Sequence, residues 1–114
     1  MKEVGKILSK EVKSLMSNKE LLGAILGVNV TSIALDGNKI EFVVANVTHY
    51  LNIHELMYLM KEWVTTKTYS VKTYLNGYRA MCYLVVNDKV VHKSTEDTEV
   101  EAVIKACEWI YKEL

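Results

Sequence analysis

The chain has 114 residues, half of them apolar and a quarter charged, with 14 basic and 14 acidic side chains and a formal net charge of zero. These proportions describe one soluble globular domain large enough to bury its own core, and the neutral balance removes any global attraction to nucleic acid or an anionic membrane. No run approaches the roughly 18 apolar residues that span a bilayer, and the N-terminal stretch has charges through its middle, unlike a signal peptide. Two cysteines, Cys82 and Cys107, form no CxxC pair and sit in apolar runs, so the expectation is a cytoplasmic protein with reduced core thiols.

The charge is unevenly placed. Residues 1–20 hold five Lys and three Glu, a net of +2, whereas residues 94–114 carry a net of −4. Arg79 is the single arginine among the basic residues. Arginine is the usual choice for bidentate contact with phosphate or carboxylate, which makes Arg79 conspicuous.

In chain order, Val4, Ile7, Leu8, Val12, Leu15 and Met16 recur at helical steps and predict a helix over residues 2–16. Lys2, Lys6, Lys10 and Lys13 lie loosely along its other side, diluted by Glu3 and Glu11. Ser17 followed by Glu20 has the capping-box spacing and starts a second helix, Lys19 to Leu26, that stops at Gly27. Its residues are apolar nearly all round, so burial is expected. Ile33 and Leu35, then a turn at Asp36-Gly37, then Ile40, Phe42 and Val44 read as a hairpin over residues 30–45. Asn52 with Glu55 starts a helix to about Thr66 whose apolar face is Ile53, Leu56, Met57, Met60 and Trp63.

Three strands follow: Tyr69–Leu75, a turn at Asn76-Gly77, Tyr78–Val86, a turn at Asn87-Asp88, and Lys89–Lys93. Thr98 with Glu101 caps a last helix with a seam of Val100, Val103, Ile104, Cys107, Ile110, Tyr111 and Leu114. The order is α-α-β-β-α-β-β-β-α, an α+β fold with an antiparallel sheet and helices mainly on one face. The whole chain, 1–114, reads as a single domain: N-terminal helices plus a hairpin over 1–51, then an α-β-β-β-α unit over 52–114.

Two resemblances attach to these residues. The segment Glu96-Asp97-Thr98-Glu99-Val100-Glu101-Ala102, followed by Lys105-Ala106-Cys107-Glu108-Trp109-Ile110 and preceded in the earlier helix by Lys61-Glu62-Trp63, resembles small phage and prophage proteins with a helix–three-strand–helix sandwich. Most members of that group have no assigned function, so the resemblance implies a mobile-element origin rather than a mechanism. The topology of residues 52–114 also resembles a double-stranded-RNA-binding domain. Such domains bring lysines to the start of the last helix to meet phosphates. This chain has Glu96, Asp97, Glu99 and Glu101 there, which repel a phosphate backbone. Nucleic acid is therefore not the expected partner of that helix.

No catalytic or metal motif stands out. His54-Glu55 begins like H-E-x-x-H, but Tyr58 occupies the second histidine position. His49, His54 and His92 show no ligand spacing, and no P-loop, GxGxxG or GxSxG occurs. An enzyme would have to assemble His49, His92 and carboxylates across a dimer. The informative feature is the outer face of the meander. Side chains alternate along a strand. Ala80, Cys82, Leu84 and Val86 form an apolar set for the helices, and Lys72, Tyr74, Arg79, Met81, Tyr83 and Val85 form the opposite set. Tyr, Met and Arg are enriched at interfaces.

Either the N-terminal helices and hairpin cover this face, or it binds a second copy or a foreign partner; both hold if the two hairpin strands extend the sheet into a five-stranded layer. The expectation is a non-enzymatic interaction protein, homo-oligomeric and without cofactor, metal or membrane attachment. It would use Lys72, Tyr74, Arg79, Met81 and Tyr83 to bind or sequester a host protein or a small anionic ligand, antagonism of host defence being one form of that role. The alternative is a nucleic-acid-binding module that uses the lysines of the first helix.

Overall fold

The computed structural model describes residues 19–36 and 39–113. The expected helix over 2–16 with its lysines, the Gly37 position of the first turn, and Leu114 lie outside the described residues. The chain runs through α1 (Lys19–Leu26), β1 (Ser32–Asp36), β2 (Lys39–Val44), β3 (Val47–Asn52), α2 (Ile53–Thr66), β4 (Ser70–Asn76), β5 (Arg79–Val86), β6 (Lys89–Glu96) and α3 (Glu99–Glu113). This is the expected α+β class and order, with one strand more than the sequence reading. The strands form two antiparallel meanders, β1-β2-β3 and β4-β5-β6, so the hairpin belongs to a sheet of its own and does not extend the second sheet to five strands.

The added strand is β3, which pairs with β2 from Lys39↔Asn52 to Val44↔Val47. The connection is Ala45-Asn46, both with positive φ (51° and 65°). Two left-handed residues match the twist of the flanking strands. Further along, Asn76 pairs with Arg79, so the next turn is Gly77-Tyr78 rather than Asn76-Gly77. Gly77 takes φ 64° at the first central position, where glycine carries no steric cost. Asn87-Asp88 turns β5 into β6 with φ 53° and 64°, as expected.

The elements share one core. Ile40, Phe42 and Leu51 of the first sheet, Leu56, Met60 and Val64 of α2, Cys82 and Leu84 of β5, and Val103, Ile104, Cys107 and Ile110 of α3 belong to a single buried cluster. In α1, Leu21, Leu22 and Gly23 are buried, while Ala24 is exposed and Ile25 and Leu26 are half-buried. That helix is one-sided rather than buried all round. No helix among the described residues is long and apolar enough to cross a membrane.

The helix ends follow the capping chemistry of their residues. Asn52 accepts from the Glu55 amide at 2.8 Å and Glu55 Oε1 accepts from the Asn52 amide at 3.1 Å, a complete capping box. At the other end of α2 the Tyr69 and Thr68 amides donate to the Val64 and Thr65 carbonyls, the paired bonds of a Schellman ending. The residue that must turn left-handed there is Thr68, at φ 70°. The corresponding residue after α1 is Gly27, at φ 71°. A β-branched residue is strained in that region, by roughly 1–2 kcal/mol. Thr68→Gly is therefore expected to raise the unfolding free energy by about 1 kcal/mol, net of glycine's greater chain entropy. Urea unfolding of the two proteins measures it, and a variant less stable than the parent contradicts the assignment of strain to Thr68.

Candidate functional site

The second sheet has two unlike faces. Along β5 Ala80, Cys82 and Leu84 are buried at 1%, 0% and 0% exposure, and Val86 at the strand end is half-buried. Arg79, Met81, Tyr83 and Val85 point the other way. Pairing arranges that outer face in cross-strand rows. Lys72 of β4 and Lys93 of β6 both pair with Tyr83, while Tyr74 and Thr95 both pair with Met81. Directly paired residues bring their Cβ atoms to roughly 4.5–5.5 Å, so each row is a contiguous line of side chains.

Lys72, Tyr74, Met81, Tyr83 and Val85 line one concavity of about 600 Å³, together with Leu75, Asn76, Asp88 and Val90. Among the described residues its lining comes from β4, β5, β6 and the turn between the last two. The volume lies in the range of small-ligand sites, about 300–1,000 Å³. Tyr74 is 50% exposed and Val90 58%. The Tyr74 and Tyr83 rings meet edge to face, centroids 5.5 Å apart, a favoured aromatic geometry. The Tyr83 hydroxyl faces the Met81 sulfur at 3.6 Å, and the Lys93 ammonium stands 5.9 Å from the Tyr83 ring centroid, within cation–π range.

Four of the five residues singled out from the sequence thus meet in one concavity. Arg79 does not line it. It is exposed, one row beyond, paired with Asn76, and its guanidinium donates to the Thr95 carbonyl at 3.4 Å. The residue that the sequence reading missed is Lys93. A two-residue turn at Asn87-Asp88 continued without interruption would set His92 opposite Tyr83. Instead the register shifts between Leu84 and Val85, leaving Val91 as the extra residue of a bulge. His92 therefore pairs with Leu84 on the inner face and Lys93 with Tyr83 on the outer one.

His92, His49 and both cysteines are engaged in the fold. His92 stacks on Trp109 of α3 at 4.9 Å, and burial lowers its pKa. His49 stacks on Phe42 at 5.3 Å in the first sheet, so the two histidines belong to different sheets. Cys82 and Cys107 are free and buried. Burial pushes the Cys82 thiol up to about 11 and the Cys107 thiol further up, so neither is a nucleophile at neutral pH. Among the described residues no group of three or more His, Cys, Asp or Glu is placed to hold a metal ion.

The acidic start of α3 is largely structural. Glu101 is 3% exposed; its amide donates to Thr98 Oγ1 at 3.3 Å and its carboxylate accepts from that hydroxyl at 2.7 Å. Glu99 Oε2 accepts from Lys61 of α2 at 2.9 Å and from Thr73 of β4 at 2.5 Å, tying three elements together. No protein-family model, curated protein or solved structure matches the chain.

The hydrogen bond from Thr73, reinforced by Lys61, holds the Glu99 carboxyl below its ordinary range against the opposing effect of burial. A carboxylate with a depressed folded pKa contributes stability above its unfolded pKa, about 4.3, and that contribution is lost as pH falls through the lower folded value. The side chains of the pair are 33% exposed, so solvent screening keeps the effect to about 1 kcal/mol or less. Glu99→Gln is expected to unfold at lower urea than the parent at pH 7, and the gap is expected to close below pH 4. A gap unchanged from pH 7 to pH 3 contradicts an ionic role for Glu99.

Proposed function

We propose that this chain is a non-enzymatic interaction module whose binding surface is the outer face of β4-β5-β6, with the helices held to the opposite face. The observation that supports this reading most is the grouping of Lys72, Tyr74, Met81 and Tyr83 around one concavity that no residue of α1, α2 or α3 lines. An ordinary solvated strand face is polar, whereas this one groups two tyrosines and a methionine, residue types enriched at interfaces, with a lysine beside them. The tyrosines supply large, stiff contact area, and the lysines supply charge at the rim. The bound species is a host protein or a small anionic ligand held by a homo-oligomer in the cytoplasm. The resemblance of the α3 segment to small phage and prophage proteins supports a mobile-element origin for such a module.

Native mass spectrometry of the protein recovered from its host background reports stoichiometry and co-purifying species together. The expected result is an oligomer carrying a second species that is lost in the Tyr74→Ala/Tyr83→Ala double variant. These side chains face outward, so the variant is expected to keep its urea midpoint. A folded double variant that retains every species bound by the parent overturns the assignment of this face.

A further inference from the structure

We propose that the outer face binds a nucleotide-type anion, a planar ring carrying a phosphate, on the row formed by Lys72, Tyr83 and Lys93; this rests on the reading of the face as a binding surface. The row places an ammonium on each side of one tyrosine, on the two strands that flank it. Among the described residues neither Lys72 nor Lys93 has an ion-pair partner. Arg79 adds a third cation two rows away, beyond the row of Tyr74 and Met81, and among the described residues the acid that lines the concavity is Asp88. The face therefore carries an excess of positive charge although the chain as a whole is neutral.

Charge complementarity decides between occupants. A second copy laid face to face would set lysine against lysine around the same tyrosines, which is repulsive. An anion is attracted. The rings decide what kind. Tyr74 and Tyr83 stand nearly perpendicular, at 70°, and form a corner. A planar ring can lie against one tyrosine while the other meets its edge. A ring held there has its substituents within the span of the Lys72 and Lys93 side chains. The concavity of about 600 Å³ has room for a single nucleotide and belongs to the size class of small-ligand sites. Stacking against tyrosine tolerates any base. The Asn76 amide and the Asp88 carboxylate, both lining the concavity, are the polar groups available to read the ring's edge.

The test is calorimetric titration of the full chain at low salt with adenosine, guanosine, cytidine and uridine monophosphates, with adenosine and ribose 5-phosphate as halves of the ligand. At least one monophosphate is expected to bind saturably. Adenosine and ribose 5-phosphate are each expected to bind at least about tenfold more weakly than that monophosphate, because each lacks the stack or the charge. Lys72→Met, Lys93→Met and Tyr83→Leu are each expected to weaken it about tenfold, with urea midpoints close to the parent's.

Absence of binding by all four monophosphates overturns the proposal, as does ribose 5-phosphate binding equal to the best nucleotide. A single-stranded tetranucleotide or a polyglutamate peptide that binds more than about tenfold tighter than every monophosphate also overturns it, in favour of a nucleic-acid or an acidic-protein surface. All these failures leave the binding-face reading standing, because that reading falls only when the tyrosine double variant keeps every species bound by the parent.

Discussion

The fold turns on the two-residue period of one central strand. β5 is flanked on both sides, by β4 and β6, and packs its inner face against α3. Its even-numbered residues Ala80, Cys82 and Leu84 are buried, so its odd-numbered residues must face the other way. Burying Cys82 and Leu84 in the same cluster as Met60 of α2 and Ile104 of α3 is what presents Met81 and Tyr83 outward. A slip of one residue would reverse both faces, placing the tyrosine in the core and the thiol in water. The core and the candidate site are therefore two consequences of one register.

That register was legible in the sequence because Ala80, Cys82, Leu84 and Val86 contain no polar residue to interrupt the alternation. The helices were legible for a related reason. Asn52 with Glu55 and Thr98 with Glu101 announce their helix starts by chemistry local to one turn. What was not legible depended on backbone conformations without a strong residue signature. Ala45-Asn46 turns β2 into β3 with two left-handed residues, yet alanine gives no sign of that conformation, unlike Asn-Gly or Asp-Gly. The third strand of the first sheet was hidden with it, the more so because Val47 to Tyr50 are all exposed and show no buried alternation.

The same distinction runs through the candidate site. Lys72, Tyr74, Met81 and Tyr83 follow from alternation along two strands joined by a tight turn. Lys93 follows from a bulge, which inserts one residue and exchanges the faces of everything beyond it. Here the exchange turns a histidine inward against Trp109 and an ammonium outward over Tyr83. The acidic start of α3 was read from the sequence for its repulsion of phosphate. Packing adds that Glu101 is consumed as a buried cap and that Glu99 is held by Lys61 and Thr73. Charge therefore divides between the two sides of the sheet: fold-holding carboxylates at the start of α3, and, on the outer face, lysines around a tyrosine that have no ion-pair partner among the described residues.

The most direct test of this account is the rate of thiol alkylation in the folded state. Cys82 and the position beside it lie on opposite faces of one strand, so a cysteine placed at 83 by Tyr83→Cys reports the outer face while the native thiols report the inner one. The account predicts that Cys82 and Cys107 remain unmodified until the protein is unfolded, whereas the thiol introduced at position 83 reacts at the rate of an exposed cysteine. Equal protection of position 83, or labelling of Cys82 in the native protein as fast as position 83, would contradict it.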